Sequence, residues 1–448
     1  MIQATYHYPR GFLWGTATSS HQVEGGNTNN NWYAWEQVSG RILHDDKSGK
    51  ACDWWGGRWR EDFDRAAEGG QNAHRLSIEW SRVQPAPDRW DEDALDYYRA
   101  IIRGLRERGL APMVTLHHFT DPLWLAEAGG WKDRGVVERF RAYAGKVVEA
   151  LQEYVEMWVT INEPNVYAVY GYLFGEFPPG EQSLGSTLQV EANLIRAHAA
   201  AYRAIHAVQP QALVGMAHHY RGLQPAQPWS PLDRAVAGVQ SASFNDSIPR
   251  ALVDGRMRLP VAGWYRIPEA RGTQDFFGLN YYTRELVACD PLRPADLFAR
   301  RFFDPSATLS GTGFLAHEPE GFYQALKWAY GFGLPIYVTE NGVEDGDDHL
   351  RPRYLVEHLH QLWRAANFNW RIRGYFHWSL IDNFEWERGW SQRFGLWELE
   401  VESQARRKRP SAELYAAICR ENGLSTKMVQ EYAPASASQV FPTGAAYG

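Results

Sequence analysis

The chain has 448 residues, a formal net charge of −7 at pH 7 and three cysteines. Its acidic balance argues against nucleic acid and against anionic membrane surfaces as partners. No stretch approaches the roughly 20 uninterrupted apolar residues of a membrane span, and the first residues lack the basic and apolar segments of a signal peptide. Cys52, Cys289 and Cys419 cannot form a disulfide framework and favour a reducing compartment. The sequence therefore predicts a soluble cytoplasmic protein that binds neither nucleic acid nor a membrane.

The length bears on the number of domains. Chains longer than roughly 250–300 residues normally divide into two or more domains. Barrels of alternating strands and helices are an exception, because insertions into their loops carry them beyond about 400 residues. The chain also contains 20 tryptophans, a residue that stacks on sugar rings while its N–H bonds to a hydroxyl. Ordinary packing accounts for most of these side chains, so composition gives sugar binding only weak support.

Short apolar runs recur along the chain with helical patterns between them, as expected for successive strand–helix units. The predicted strands lie near residues 12–17, 74–80, 112–118, 156–162, 213–218, 275–281, 335–340 and 374–379. The predicted helices occupy residues 93–109, 136–153, 189–208, 320–331 and 352–366. In the first helix, apolar side chains from Leu95 to Leu105 recur at helical spacing, and Gly109 ends it.

Eight strands with intervening helices predict an α/β fold, a (β/α)₈ TIM barrel that forms a single domain over residues 1–424 with long βα loops. An open, doubly wound sheet is the alternative, but no glycine-rich phosphate-binding motif follows the first strand.

Three long connections follow predicted strands, at residues 24–60, 220–232 and 290–313. Loops of this length are usually functional or disordered, and in a barrel they would surround the active-site face. From about residue 425 to 448 the chain is rich in Ser, Ala, Pro and Gly. This composition predicts a weakly ordered C-terminal tail. The basic run at residues 406–409 is predicted to be a solvated loop, since the rest of the chain is acidic.

Two glutamates occupy nearly the same local setting. Glu163 follows the run Thr-Ile-Asn and precedes Pro164, while Glu340 follows Tyr-Val-Thr and precedes Asn341 and a glycine. Each run indicates a buried strand that ends at the Pro or Gly. Neither run alternates polar and apolar residues, which disfavours the simpler interpretation of a solvated surface charge. If both strands belong to one barrel, the two carboxylates share its mouth, which is the arrangement that glycoside hydrolysis requires.

Metal chemistry is the competing interpretation for the histidines. His218 and His219 end the fifth predicted strand, and His44 precedes two aspartates in the first long loop. Neither group is completed at metal-ligand spacing. We therefore predict neither a metal nor any other cofactor.

Several separated motifs together resemble glycoside hydrolase family 1, the retaining β-glucosidases and their relatives, from about Tyr8 to Gly423. The segment at residues 12–25 is similar to the family's N-terminal signature, and residues 75–82 to its second-strand motif. The two glutamate motifs match the family's acid/base and nucleophile segments. Residues 378–386 and 393–396 resemble the sugar-binding end of its last strand.

The resemblance implies a role for each catalytic side chain. Glu340 would be the nucleophile, with Arg75 holding it ionised and the Tyr282 hydroxyl orienting it. Glu163 would be the acid/base, its pKa raised by burial and by the like charge of Glu340. Asn280, at the end of the sixth strand, would support the acid/base side.

The resemblance also implies how a sugar is held. Asn162 would donate its amide to the 2-hydroxyl, a contact that strengthens in the transition state. Trp378 would form the stacking floor of the pocket, and Phe394 would close the pocket behind it. The remaining sugar hydroxyls would be bound by Gln22, His118, Glu385 and Trp386.

Several functions remain open on this scaffold. The favoured one is a retaining β-glycosidase that acts on small β-glucosides or oligosaccharides, with β-galactosides and β-fucosides as further substrates because Gln22 and Glu385 can both approach the 4-hydroxyl. A non-catalytic sugar-binding barrel is possible because fold does not determine function, although it predicts loss of one carboxylate. A 6-phospho-β-glucosidase is disfavoured because Glu385 would repel the phosphate. A transglycosylase would use the same residues. The oligomeric state stays undetermined.

Overall fold

The computed structural model describes residues 3–260 and 263–442. Eight parallel strands form a closed barrel in which neighbours along the chain are neighbours in the sheet, and the fifth strand pairs with the sixth to close it. The (β/α)₈ prediction is confirmed. The strands are β1 Leu13–Ala17, β2 Ala73–Ser77, β3 Ala111–His117, β4 Met157–Asn162, β5 Leu213–Pro225, β6 Phe276–Cys289, β7 Ile336–Asn341 and β8 Ile372–Trp378.

One helix follows each strand, and those predicted from the sequence are present within a few residues of their predicted ends. The main helices are α1 Trp59–Glu68, α2 Glu92–Glu107, α3 Val136–Leu151, α4 Leu184–Val208, α5 Pro231–Ser241, α6 Pro319–Tyr330, α7 Arg351–Asn367 and α8 Pro410–Glu421. Shorter helices lie in the connections, at Ser20–Val23, Asn31–Glu36, Trp80–Val83, Leu123–Glu127, Pro164–Val169, Ser247–Asp254, Thr426–Tyr432 and Ala437–Val440. Among the described residues, no helix is long and apolar enough to cross a membrane.

The core has two layers. Inside the barrel, aromatic rings lie over glycines of neighbouring strands: a Cβ on Gly15 would come within 2.7 Å of the Phe376 ring, and one on Gly215 within 2.7 Å of the Phe276 ring. Small residues on the strands therefore make room for large ones, as close packing of a barrel interior requires. A larger apolar layer, including Val114, fills the space between the strands and the surrounding helices.

Two of the long connections are more regular than predicted. β5 continues to Pro225 and pairs with β6 as far as Pro225 opposite Val287, and Ala299–Phe302 pairs antiparallel with the far end of β6. Residues 220–225 and 299–302 are therefore strand, where a loop was predicted. Pro225 is compatible with this pairing because it stands at the last position of the strand.

The prediction of a weakly ordered C-terminal tail is wrong for residues 425–442. Gly423–Ser425 pairs with Thr5–His7 near the N-terminus, and the helices Thr426–Tyr432 and Ala437–Val440 follow. Val429 and Val440 are fully buried in the same apolar cluster as residues of α7. The segment is ordered because its few apolar residues are buried. Its average composition, which is rich in Ser, Ala, Pro and Gly, did not indicate this. Residues 443–448 of the predicted tail lie outside the described residues.

Candidate active site

The site occupies a cleft of about 700 Å³ at the carboxyl ends of the strands, the face that carries the active site in barrel enzymes. Of the 12 residues predicted for the site, 8 line this cleft: Glu163, Glu340, Tyr282, His118, Trp378, Glu385, Trp386 and Phe394. The other four, Gln22, Arg75, Asn162 and Asn280, lie directly behind them and reach them through hydrogen bonds.

Glu340 lies near the end of β7 and is held at both oxygens. Arg75, on β2, donates from Nη1 to its Oε1 at 2.6 Å, and the hydroxyl of Tyr282, on β6, donates to its Oε2 at 2.6 Å. Arg75 and Glu340 are both buried. Two donors on one carboxylate favour its ionised form and fix the plane of the group.

Glu163 directly follows β4, and its backbone lies in the left-handed region at φ 43°. Such a conformation is costly for a residue other than glycine and concentrates at functional sites. Its N–H donates to the Ala217 carbonyl at 2.8 Å. Its Oε1 lies 2.8 Å from Nδ2 of Asn280 and 2.8 Å from Nδ1 of His219. The side chain is thus held at one oxygen by two partners.

A chain of hydrogen bonds joins the two carboxyl groups. Nη2 of Arg75 donates to Oδ1 of Asn162 at 2.6 Å, and the same oxygen accepts from Nδ2 of Asn280 at 3.1 Å. The Asn280 amide is oriented by Thr339, whose hydroxyl donates to its Oδ1 at 2.6 Å. Since all of these side chains are buried, the positions of Glu163 and Glu340 are fixed relative to each other.

The pKa shifts differ from the sequence-based prediction. Burial and the charge of Glu163 raise the pKa of Glu340 to about 7, although Arg75 opposes the shift. Burial would also raise the pKa of Glu163, but His219 and Asn280 outweigh it and hold that pKa below its ordinary value. The pKa of Glu163 is therefore lowered where the sequence predicted it to be raised. His219, which the prediction did not include, is the physical reason.

His118 follows β3 and lies against Asn162, whose Nδ2 donates to its Nε2 at 3.1 Å. Burial and the charge of Arg75 lower the pKa of His118 well below its ordinary value, so the ring is neutral. Nδ1 of His118 has no hydrogen-bond partner within the described part of the chain. A buried ring nitrogen without a partner is available to a ligand hydroxyl.

Gln22 and Glu385 meet at one end of the cleft. The Gln22 side-chain amide donates from Nε2 to Oε2 of Glu385 at 3.1 Å and to Oδ1 of Asn383 at 2.9 Å. Burial and the charges of Glu387, Glu340 and Glu163 raise the pKa of Glu385 well above its ordinary value. This end of the cleft is therefore rich in groups that can exchange hydrogen bonds with sugar hydroxyls.

The aromatic residues form the walls. The His118 ring stacks with Trp378 and with Trp386, with ring centroids 5.9 Å apart in both pairs. Phe394 meets Tyr282 edge to face at 6.0 Å. Flat apolar faces beside polar groups suit a sugar ring, which presents C–H groups on its faces and hydroxyls at its edges.

His219 is the contact that sequence reasoning missed. The neighbouring histidines of β5 point to different surroundings: His218 is buried against Gln274 at 3.2 Å, while His219 lines the cleft beside Glu163. The alternation of side chains along a strand explains the difference. The sequence showed only a histidine at the end of a predicted strand, and that it faces Glu163 follows from the pairing of β4 with β5.

The comparisons with known proteins agree with this architecture. A model of "Glycosyl hydrolase family 1" matches residues 4–424. Beta-glucosidase A of Thermotoga maritima is 33% identical over 93% of this chain and 98% of that protein. The cytosolic beta-glucosidase of Homo sapiens is 31% identical over 94% of this chain and 100% of that protein. The solved beta-glycosidase from Pyrococcus horikoshii superimposes with a TM-score of 0.90 at 37% identity, covering 96% of this chain and 98% of that chain.

Two buried carboxyl groups lie in the cleft, at the carboxyl ends of β4 and β7, and the family model matches nearly the whole chain. The chain belongs to glycosyl hydrolase family 1, a family of retaining β-glycosidases.

Proposed function

We propose that this protein hydrolyses terminal, non-reducing β-D-glucosyl residues of small β-glycosides and oligosaccharides, with Glu340 as the nucleophile and Glu163 as the acid/base. The observation that carries the proposal is the different bonding of the two buried carboxyl groups. Glu340 is held by a guanidinium and a phenol at both oxygens, whereas Glu163 is held at Oε1 alone. The first arrangement suits a carboxylate that attacks, and the second leaves Oε2 of Glu163 for the leaving group.

In the first step, a Glu340 oxygen bonds to the anomeric carbon as the glycosidic bond breaks. The departing oxygen takes a proton from Glu163, so the leaving group departs as an alcohol. Positive charge develops at the anomeric centre next to Glu340, and this charge favours the ionised form of that carboxyl group. The transition state is therefore stabilised when Glu340 is ionised and the proton is on Glu163.

In the second step, water attacks the anomeric carbon and Glu163 takes its proton, which releases Glu340 as a carboxylate. Glu340 carries no charge while it is esterified to the sugar. Its repulsion of the Glu163 carboxylate is then absent, so Glu163 can remain ionised and act as a base. Two displacements at one carbon return the β-configuration in the product.

The glucosyl preference is supported by the end of the cleft that holds Gln22 and Glu385. These two side chains lie within 3.1 Å of each other and can both reach the 4-hydroxyl, so an axial or an equatorial hydroxyl can be accepted. We therefore include β-galactosides and β-fucosides among the substrates. The free thiols of Cys52, Cys289 and Cys419 support a cytoplasmic location, and neither nucleic acid nor a membrane is a proposed partner.

Initial rates on a panel of nitrophenyl β-glycosides, with NMR of the sugar first released, test this function. We expect hydrolysis of the β-glucoside with β-glucose as the first product. First release of α-glucose would refute the retaining mechanism. A higher kcat/KM on 6-phosphoglucoside than on glucoside would favour the phosphoglycosidase, and transfer to an added alcohol as the main reaction would favour the transglycosylase.

A further inference from the structure

His219 lies on β5, and its imidazole contacts the side chain of Glu163. Nδ1 of His219 is 2.8 Å from Oε1 of Glu163, and Nδ2 of Asn280 reaches the same oxygen at 2.8 Å. Within the described residues, no hydrogen bond ends on the other oxygen, Oε2. The two donors therefore occupy one side of the carboxyl group, and Oε2 is the atom left to meet a substrate.

The surroundings of His219 fix the direction of its ring. The imidazole is nearly parallel to Tyr282, with centroids 6.0 Å apart, and meets the edge of Phe244 at 5.9 Å. The His219 carbonyl accepts from Nδ2 of Asn165 at 2.9 Å, and its backbone pairs with Asn280. The side chain is 17% exposed, toward the cleft. A ring held on two faces and at its backbone keeps Nδ1 directed at Glu163.

The charged groups around the imidazole favour the same contact. Glu163, next to β4, touches it directly, while Tyr282, on β6, directs its hydroxyl to Glu340. On β5 itself, Arg221 is paired with Glu285 at 2.7 Å. On the far side of Glu163, Arg75 is engaged by Glu340 and Asn162. Glu163 is thus the carboxyl group that contacts Nδ1 of His219.

We propose that His219 is a positioning residue for the acid/base: it donates its Nδ1 proton to Oε1 of Glu163, stabilises the carboxylate and so makes Glu163 a stronger acid. The inference rests on the proposed function. His219 keeps its own proton throughout, and the proton given to the glycosidic oxygen comes from Oε2 of Glu163. The lowered pKa of Glu163 in spite of its burial agrees with this role. A stronger acid gives more help to a poor leaving group.

Two variants separate the hydrogen bond from the packing. His219→Phe keeps a ring against Tyr282 and Phe244 but has no donor, while His219→Asn keeps a donor without the ring. The measurement is kcat/KM against pH for phenyl β-glucoside, whose leaving group needs a proton, and for 2,4-dinitrophenyl β-glucoside, whose leaving group does not. Circular dichroism confirms that each variant is folded, and His219→Ala is a second donor-free variant if the Phe variant does not fold.

For His219→Phe, we expect the basic limb of the kcat/KM–pH profile on phenyl β-glucoside to move to higher pH by roughly 1–2 units. The Glu163 carboxylate loses a charge-assisted donor in this variant, so the carboxyl group becomes a weaker acid. The plateau for this substrate should fall about 3- to 10-fold through the weaker acid, whereas the dinitrophenyl substrate should change by less than about twofold. His219→Asn should restore most of the original limb. An unmoved limb with equal losses on both substrates would overturn the proposal.

A direct titration makes the result independent of turnover. The carboxyl carbon of Glu163, followed by ¹³C NMR in glutamate-labelled protein and assigned with Glu163→Gln, should titrate at higher pH in His219→Phe than in the unaltered protein. An unchanged titration would refute the role of His219 even if the protein hydrolysed glucosides. Conversely, suppose that Glu163 titrates at higher pH in His219→Phe but the unaltered protein hydrolyses no glucoside. That result would refute the proposed function and leave the role of His219 standing.

Discussion

At the scale of single residues, Glu163 and Glu340 differ in their bonding partners and not in their burial. Both are buried, yet Glu340 accepts from Arg75 and Tyr282, whereas Glu163 accepts from Asn280 and contacts Nδ1 of His219. Because each carboxyl group feels the charge of the other, the pair holds its protons as a unit. Removing either carboxyl group should therefore give a different defect.

Glu340→Gly should lower kcat by about four orders of magnitude or more, since no covalent intermediate can form. Azide or formate added to the variant fits into the space of the missing carboxylate and should restore turnover, with an α-configured product from a single displacement. Rates with and without azide, together with NMR of the product, check this expectation. Recovery of a β-configured product would exclude Glu340 as the nucleophile.

Glu163→Ala should lower kcat/KM by roughly 10²- to 10⁴-fold on substrates whose leaving groups need a proton. For substrates with a dinitrophenolate leaving group, the rate of the first step should change little, because this leaving group needs no proton. Added azide should speed the second step and give a β-glycosyl azide, because it attacks the intermediate without a base. Identical responses of the Glu163 and Glu340 variants to azide would contradict the separate roles.

Glu385→Ala should reveal what the polar end of the cleft recognises. Hydrogen bonds between the partly buried Glu385 carboxyl group and the 4- and 6-hydroxyls are each worth about 0.5–1.5 kcal/mol. Loss of both should reduce kcat/KM on β-glucosides roughly 5- to 150-fold. The loss should be smaller for β-fucosides and β-xylosides, which lack the 6-hydroxyl. Equal losses on all three sugars would mean that Glu385 only supports the pocket.

At the scale of elements, the C-terminal segment belongs to the barrel. The helix Thr426–Tyr432 directly follows the strand that pairs with residues near the N-terminus. Ser436, beyond this helix, donates to Glu357 of α7 at 2.7 Å. The first and last described segments of the chain thus meet beside α7.

Val429→Ala should lower the free energy of unfolding by about 2 kcal/mol, from two buried methyl groups and the space they leave. Lys427→Ala, at an exposed position of the same helix, should change it by less than about 0.5 kcal/mol. Urea denaturation measures both values, and kcat/KM on a β-glucoside should stay unchanged. Equal effects of the two variants would mean that this helix contributes little to the folded state.

At the scale of the whole molecule, buried ion pairs connect the loop after β8 with distant segments. Asp382 accepts from Nη1 and Nη2 of Arg409 at 2.8 and 2.9 Å, and from the Gly395 N–H at 2.8 Å. Arg406 pairs with Asp62 of α1 at 3.2 Å. The prediction of a solvated loop at residues 406–409 is therefore wrong. Residues 406–408 form a strand that pairs with Trp397–Leu399, and the side chains of Arg406 and Arg409 are buried beside their acidic partners. This network holds the segment that carries Glu385 and Phe394.

Arg409→Met should destabilise the protein by roughly 3–5 kcal/mol, because it leaves the buried Asp382 carboxylate with only the more distant Arg393, at 3.9 Å, as a cation. Arg407→Met is the matched control, since the Arg407 side chain is 77% exposed and its pair with Glu398 lies at the surface; its cost should stay below about 1 kcal/mol. Chemical denaturation of both variants gives the comparison. A cost near zero for Arg409→Met would show that Asp382 is satisfied by its backbone donors and Arg393.

The sequence by itself determined the barrel and the placement of the two carboxyl groups. Runs such as Thr-Ile-Asn before Glu163 and Tyr-Val-Thr before Glu340 are local signals, because strand propensity and the following Pro or Gly act within a few residues. The helices were predictable for the same reason, from apolar periodicity. The proposed sugar-binding residues came from several motifs in order, which together indicate a shared site even when each motif is ambiguous alone.

Only the tertiary structure decided which groups modify those carboxyl groups. His219 is 56 residues from Glu163 in sequence, and its contact depends on the pairing of β4 with β5 and on which face of β5 it occupies. The same holds for Arg409 with Asp382, 27 residues apart, and for Val429 in the C-terminal helix. Burial, and the charge that comes to lie beside a buried group, are properties of packing between distant segments. No local pattern encodes them, so the order of the two pKa values could be found only from the folded chain.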